Sequence, residues 1–164
     1  LVNTAILECD FPSLWKIVIV KPIPKTAKPE SYSDLRPISR LPALSKVLEK
    51  CMEGQIRDFV TQHNVLPETQ SGFRPNHSCC TALSQVIDDI LCALDGGMCA
   101  VLVLLDYSKA FDTIHHNLLL AILRHIGFAN CALDLMRSYL MDRSQLVTLN
   151  GTLSNATPIC SGVP

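Results

Sequence analysis

Asp106 is the first charged residue after Met98–Leu105, the longest wholly apolar run in the chain. A run of that kind predicts a strand covered on both faces, and a carboxylate delivered at the end of such a strand can hold Mg²⁺ through oxygen while leaving coordination positions open for phosphate. The bland alternative is an Asp that merely opens a turn, because position in a fold seldom reveals function. Asp112 lies beyond the strand end and is expected to support loop geometry rather than bind metal. His115-His116 and Cys79-Cys80 offer donor atoms but no third ligand at helical spacing, so neither pair reads as a zinc site. The eight cysteines include no Cys-x-x-Cys pair and fall within apolar patterns, which suggests small core residues in a reducing intracellular compartment.

The elements that hold these residues follow from periodicity and punctuation. Trp15–Val20 is a β-branched strand expected to halt at Lys21-Pro22, and a polar, Pro-rich loop is expected to run to Asp34. Pro42 suits a first helical turn, and Leu44, Val47, Leu48, Cys51, Met52, Ile56, Phe59 and Val60 follow near helical period, with Gly54 costing about 1 kcal/mol relative to Ala. Residues 66–77 have turn formers and no period. Ser78 can cap a helix carrying Leu83, Val86, Ile87, Ile90, Leu91 and Leu94, which Gly96-Gly97 ends. Cys99–Leu105 is the predicted buried strand. A helix starting near Asn117 runs to Ile126 before Gly127, and Asn130 is placed to cap another carrying Leu133, Met136, Tyr139 and Leu140. Gln145–Leu149 alternates before Asn150-Gly151, a hairpin turn after which Ala156–Cys160 can return. Helices around a few central strands make this an α+β chain.

Composition bounds the function. Of 164 residues, 48% are hydrophobic, enough for a real core. Fourteen Lys and Arg against 15 Asp and Glu leave a net charge of −1, so bulk charge does not make this a general polyanion binder, and any nucleic-acid role needs local cations. The start shows no basic segment before an apolar stretch that would mark a secretory signal, and no apolar run approaches the roughly 20 residues that span a bilayer.

Val103-Leu104-Leu105-Asp106-Tyr107-Ser108-Lys109-Ala110-Phe111-Asp112 resembles the first palm motif of reverse transcriptases, especially those of non-LTR retrotransposons. Further motifs occur in family order: Trp15-Lys16 with Val20-Lys21-Pro22-Ile23-Pro24-Lys25, then Tyr32-Ser33-Asp34-Leu35-Arg36-Pro37-Ile38-Ser39, then Gln70-Ser71-Gly72-Phe73-Arg74 with Ser78, and finally Ser161-Gly162-Val163-Pro164. Any single match is weak; their order over nearly the whole chain is specific. The resemblance implies the fingers (about 1–97) and the start of the palm (about 98–164) of a right-hand polymerase fold. It implies an RNA-directed DNA polymerase, a nucleotidyltransferase that extends a primer 3′-OH with dNTPs on an RNA template.

The roles that the resemblance implies attach to particular residues. Asp106 is the catalytic metal-binding carboxylate and the Tyr107 carbonyl a further metal contact, with two Mg²⁺ ions in the complete domain. Phe111 lies beneath the incoming sugar, where its ring would clash with a ribose 2′-OH; read without the resemblance it is a core Phe. Lys25 and Arg36 grip the triphosphate, or are solvated surface cations. Gln70, Gly72, Phe73 and Arg74 lie near template and nucleotide, or form a packed loop. His115 stands where the family commonly has Asp. The tail normally runs on into Gln-Gly-Ser, so the expectation is a chain cut inside a motif, without the paired-aspartate hairpin, thumb or endonuclease, and inactive alone. Implied partners are RNA template, DNA primer and dNTP, with no membrane; the implied location is intracellular, both nuclear and cytoplasmic. The alternative is a non-catalytic RNA-binding or scaffold relic of a polymerase fold.

Overall fold

The computed structural model describes residues 1–163, so Pro164 of the tail motif lies outside the described residues. The chain divides into two compact units, residues 1–55 with 109–164, and residues 56–108. Together they form the expected α+β mixture.

The first unit opens with helix α1 (Val2–Leu7) and a 3₁₀ turn, Ser13–Trp15, then strand β1 (Ile17–Pro24). β1 does not halt at Pro22, and the segment expected as loop up to Asp34 holds the end of β1 and a 3₁₀ turn, Tyr32–Asp34, that leads into a second strand, β2 (Leu35–Arg40). The two strands pair antiparallel with Pro22 opposite Pro37. The Lys25 N–H donates to Asp34 O at 2.7 Å, and bonded pairs alternate from there, so Pro22 and Pro37 meet at a pair that exchanges no hydrogen bond. On its other edge β1 pairs in parallel with strand β3 (Arg143–Leu149), but only over Ile17–Val20. Neither edge therefore needs an N–H from Pro22.

Helix α2 (Ala43–Gln62) runs from the first unit into the second, as its periodicity predicts. Its buried stripe is Ser45, Leu48 and Met52, at i, i+3 and i+7, whereas Leu44 and Val47 are each 51% exposed. Leu48 and Met52 join Ala5, Phe11, Trp15 and Leu135 in one core cluster. Helices α4 (His116–His125) and α5 (Asn130–Leu140) form an antiparallel hairpin closed by Gly127 at φ +97°. Asn130 is the first helical residue of α5 and not its cap: Leu133 N–H already donates to Ala129 O, which moves the helix start back by one. The predicted hairpin at Asn150-Gly151 is present, with strands β4 (Thr152–Leu153) and β5 (Thr157–Ile159) both antiparallel to β3.

The second unit contains the end of α2, the 66–77 loop and helix α3 (Cys79–Asp95). Ser78 caps α3 as predicted: its Oγ accepts from Thr81 N–H at 3.2 Å while its own N–H donates to Thr81 Oγ1 at 2.9 Å. Two expectations fail here. Cys99–Leu105 makes no ladder, and Val101, Val103, Leu104 and Leu105 are 71–86% exposed. An apolar run forms a strand only against a neighbour that accepts its hydrogen bonds, and no described segment pairs with it. The cysteines also are not core residues; Cys9 is half-buried and the other seven are exposed, all unpaired.

Arg143, 2% exposed at the start of β3, joins the core to the sheet. Its guanidinium stands 5.5 Å from the Phe11 ring centre and 5.1 Å from that of Tyr139, and donates to Tyr139 O at 2.8 Å. Phe11 packs edge-on against Trp15 and Tyr139 at 5.8 and 5.0 Å. Burial, helped by the negative charge of Glu49 and opposed by Arg143, raises the Tyr139 hydroxyl to about 12. Because a buried cation is held here by rings and a carbonyl, Arg143→Ala should lower stability by roughly 3 kcal/mol or more, read as a shifted urea midpoint. An unchanged midpoint would place the guanidinium outside the core's energetics.

Candidate nucleotide-binding site

Strand alternation decides which side chains share a surface. In β1 Val18 and Val20 are buried, which leaves Ile17, Ile19, Lys21 and Ile23 on the open face. Directly opposed residues of an antiparallel pair share a face, so Arg40 opposite Ile19, Ile38 opposite Lys21 and Arg36 opposite Ile23 belong to the same surface. The Lys25–Asp34 bond continues this register by one pair of the same parity. Lys25 and Arg36, predicted separately from two motifs, are thus diagonal neighbours at the tip of one hairpin. Sequence reasoning missed that Lys21 and Arg40 lie on that face too; β2 was the missing signal, concealed by Pro37 in its centre.

The hairpin tip is tied down from within. Asp34 Oδ2 accepts from the backbone N–H of Ser31 at 3.0 Å, from that of Glu30 at 3.1 Å and from Ser31 Oγ at 3.1 Å. These donors, Ser31's N–H foremost, hold the Asp34 carboxyl below the usual carboxylate range. The charge of Lys25 acts on it in the same direction. Lys25 Nζ donates to Ser33 O at 2.6 Å, so the ammonium sits at the tip, exposed and supported by a neutral carbonyl. Arg36 is exposed on β2.

Phe111 is 56% exposed, which excludes the reading of an ordinary core Phe. It lies in a turn, residues 108–113, in which Lys109 has φ +55° and Asp112 and Thr113 N–H both donate to Lys109 O. The tail motif locks this turn. Val163 N–H donates to Phe111 O at 3.1 Å, Gly162 N–H to Ile114 O at 2.9 Å, and Ser161 Oγ to Asp112 O at 3.1 Å. His116, expected as a surface or capping residue, is instead 7% exposed, with Nε2 2.7 Å from Gly162 O. A carbonyl only accepts, so Nε2 carries the proton in this contact. Asp112 acts through its backbone, consistent with a supporting role.

In the second unit, Arg74 spends its guanidinium on the loop itself: Nη1 donates to Pro67 O at 3.0 Å, Glu68 O at 3.3 Å and Gln70 O at 3.5 Å. Gln70 Nε2 reaches Gly72 O at 3.3 Å. The two side chains and Gly72 are thereby brought into one compact turn, on which Phe73 stands 86% exposed at φ +59°. Asp106 and Tyr107 are exposed, in chain without regular structure. Among the described residues no three His, Cys, Asp or Glu side chains converge. Mg²⁺ is octahedral, keeps several waters and is bound through one or two carboxylates with substrate phosphates, so Asp106 and the Tyr107 carbonyl could supply only part of its oxygen set.

Residues 23–164 match the family model described as reverse transcriptase (RNA-dependent DNA polymerase), and the chain belongs to that family. Several of its curated relatives come from mobile elements. It is 33% identical over its whole length to a probable RNA-directed DNA polymerase from transposon BS, and 34% identical, again over its whole length, to a probable RNA-directed DNA polymerase from transposon X-element, both of Drosophila melanogaster. Over 94% of the chain it is 32% identical to the RNA-directed DNA polymerase from mobile element jockey of the same organism. The chain spans 18% of the length of the first two and 17% of the third. No helix among the described residues is long and apolar enough to cross a membrane.

The joint between the Phe111 turn and the tail has a steric test. A Cβ built on Gly162, whose φ is +83°, would lie 2.9 Å from both Asp112 Cα and Asp112 O and 3.0 Å from Phe111 O, backbone atoms that cannot swing aside. Gly162→Ala should therefore cost roughly 1–3 kcal/mol and free the 108–113 turn, seen as faster amide hydrogen exchange at Gly162 and Val163. Wild-type exchange rates in that variant would show that the tail does not brace the turn.

Proposed function

We propose that the polypeptide containing this chain is an RNA-directed DNA polymerase of a non-LTR mobile element, extending a primer 3′-OH with dNTPs on an RNA template. The observation that carries this reading is the similarity, over all or nearly all of the chain, to three polymerases of mobile elements. In this proposal residues 1–97 and 98–164 correspond to the fingers and to the start of the palm.

The geometry supports particular roles. Lys25 and Arg36 at one hairpin tip offer a point charge and a planar fork to a triphosphate, the combination suited to charge spread over several phosphate oxygens. Asp34 lies at the same tip, its carboxylate accepting from the turn's N–H groups and also interacting electrostatically with Lys25. Phe111, exposed on a turn braced from behind by Gly162 and His116, can present a fixed ring edge to a sugar. A ring held in this way discriminates by clash with a 2′-OH. The Gln70–Arg74 turn is ordered enough to hold Phe73 outward toward template or nucleotide.

Asp106 and the Tyr107 carbonyl are proposed as ligands of Mg²⁺, which when bound supplies charge stabilisation for phosphoryl transfer. The parent is proposed to contribute further carboxylates, because among the described residues no three potential ligand side chains converge. The 164-residue chain alone is accordingly inactive. The parent is proposed to act in the nucleus and cytoplasm. A non-catalytic relic is the weaker reading, since it has no use for Arg36, Asp106 and Phe111 together.

Primer extension tests the assignment. On an RNA template the parent polypeptide should extend a DNA primer with dNTPs, whereas the 164-residue chain should not. Phe111→Ala in the parent should retain dNTP use and raise rNTP incorporation by about tenfold or more, the size expected when one steric clash is relieved. Extension by the isolated chain, or unchanged rNTP discrimination in the variant, would contradict the respective assignment.

A further inference from the structure

Helices α4 and α5 border a small open hollow of about 120 Å³, lined by Asn117, Leu120, Ala121, Arg124, Leu133 and Arg137. Of its lining residues Leu120 and Leu133 are buried, 7% and 2% exposed. The rim is cationic. Asn117 and Arg124 lie seven residues apart on α4, two turns along one face, and Arg137 faces them from α5. None of the lining residues is acidic.

We propose that this hollow is an anion site that takes a phosphate group, either free or in the backbone of a nucleic-acid strand. Three features point to phosphate. The guanidinium groups of Arg124 and Arg137 are planar forks that match phosphate oxygens, and the Asn117 amide adds an uncharged donor. A hollow of about 120 Å³ accommodates one tetrahedral oxyanion but not a nucleotide. Asp134, which is not among the lining residues, accepts from Arg137 Nη1 at 3.2 Å as an i,i+3 pair whose side chains are 58% and 47% exposed. An exposed pair of that kind is worth little in water and can yield to a doubly charged ligand.

The competing explanation is that both arginines merely complement the helix ends. Each does fall in the last turn of its helix, where a cation interacts favourably with the dipole. That accounts for their presence on the two helices. It does not account for both bordering one polar hollow from opposite sides, with an amide and no acid among the lining residues. The whole chain carries a net charge of −1, so phosphate attraction here is local. The site is independent of the triphosphate role given to Lys25 and Arg36 and of the polymerase reading itself.

The test uses the 164-residue chain, its Arg124→Ala/Arg137→Ala pair, and a control, Lys46→Ala/Lys50→Ala, that removes the same charge from exposed positions on α2. Inorganic phosphate at ionic strength matched with chloride should raise the melting temperature of the wild type and the lysine control, but not that of the arginine pair. A short oligouridylate RNA, followed by fluorescence anisotropy, should bind the arginine pair about tenfold more weakly than the lysine control, with a shallower salt dependence. Loss with both probes assigns the site to a strand backbone; loss with phosphate alone assigns it to the free ion. Should the alanine pair fold poorly, Arg124→Gln/Arg137→Gln reads the same quantities. Identical behaviour of the arginine and lysine pairs toward both probes, or no response of the wild type to either, would overturn the proposal.

Discussion

Strand β1 must satisfy backbone hydrogen bonds on two edges, antiparallel to β2 close by in sequence and parallel to β3 more than 100 residues later. A parallel pair cannot be closed by a tight turn, so everything between β2 and β3 is crossover, including the second unit and both helices of the α4–α5 hairpin. The core grows on the closed side of that sheet. Val18 and Val20 are buried, and the N-terminal segment contributes Ala5, Phe11 and Trp15 to a cluster completed by Leu48 and Met52 of α2 and Leu135 of α5. Burying such side chains is worth roughly 1.5–3 kcal/mol each. Arg143 seals one end: its cation lies against two rings of the cluster while its backbone begins β3.

The open side of the same sheet is what that packing leaves free for chemistry. Because β1 alternates strictly, burying Val18 and Val20 forces Lys21, and by register Arg36 and Arg40, outward. The hairpin tip then positions Lys25 through a turn whose acid, Asp34, is held as a carboxylate by backbone N–H donors and by Lys25 itself. A second support is the tail segment, which threads Ser161, Gly162 and Val163 against the turn bearing Phe111, with His116 fastening Gly162 from α4. Both arrangements use backbone bonds to aim an exposed side chain, the usual way a loop residue gains a fixed direction.

Much of this was legible in the sequence where one local signal sufficed. Ser78 before α3, Gly127 after α4, Asn150-Gly151 and the period of α2 each predicted an element that is present, because caps and turns depend on neighbours in the chain. What was not legible depended on distant partners. β2 lies just beyond the loop expected up to Asp34 and carries no strand signal of its own, because Pro37 argues against a strand until its partner is known to be Pro22, at a pair that needs no N–H. His116 was expected as a surface or capping residue because its partner, Gly162, lies 46 residues on. The buried strand predicted before Asp106 failed for the complementary reason: apolar character was sufficient to predict burial, but the described residues supply no neighbouring strand. The Phe111 motif, the Lys25 and Arg36 motifs and the tail were legible only through family resemblance, and the similarity to mobile-element polymerases supports that membership.

The central claim is that Asp106 is a metal-binding carboxylate of a polymerase. It is tested most directly by primer extension in the parent polypeptide carrying Asp106→Asn, a substitution that keeps size and removes the charge Mg²⁺ requires. The account predicts that DNA synthesis on an RNA template falls to background while thermal stability and RNA binding stay at wild-type levels, because Asp106 is exposed and makes no packing contribution. Synthesis at the wild-type rate would contradict it and return Asp106 to the bland role of opening a turn.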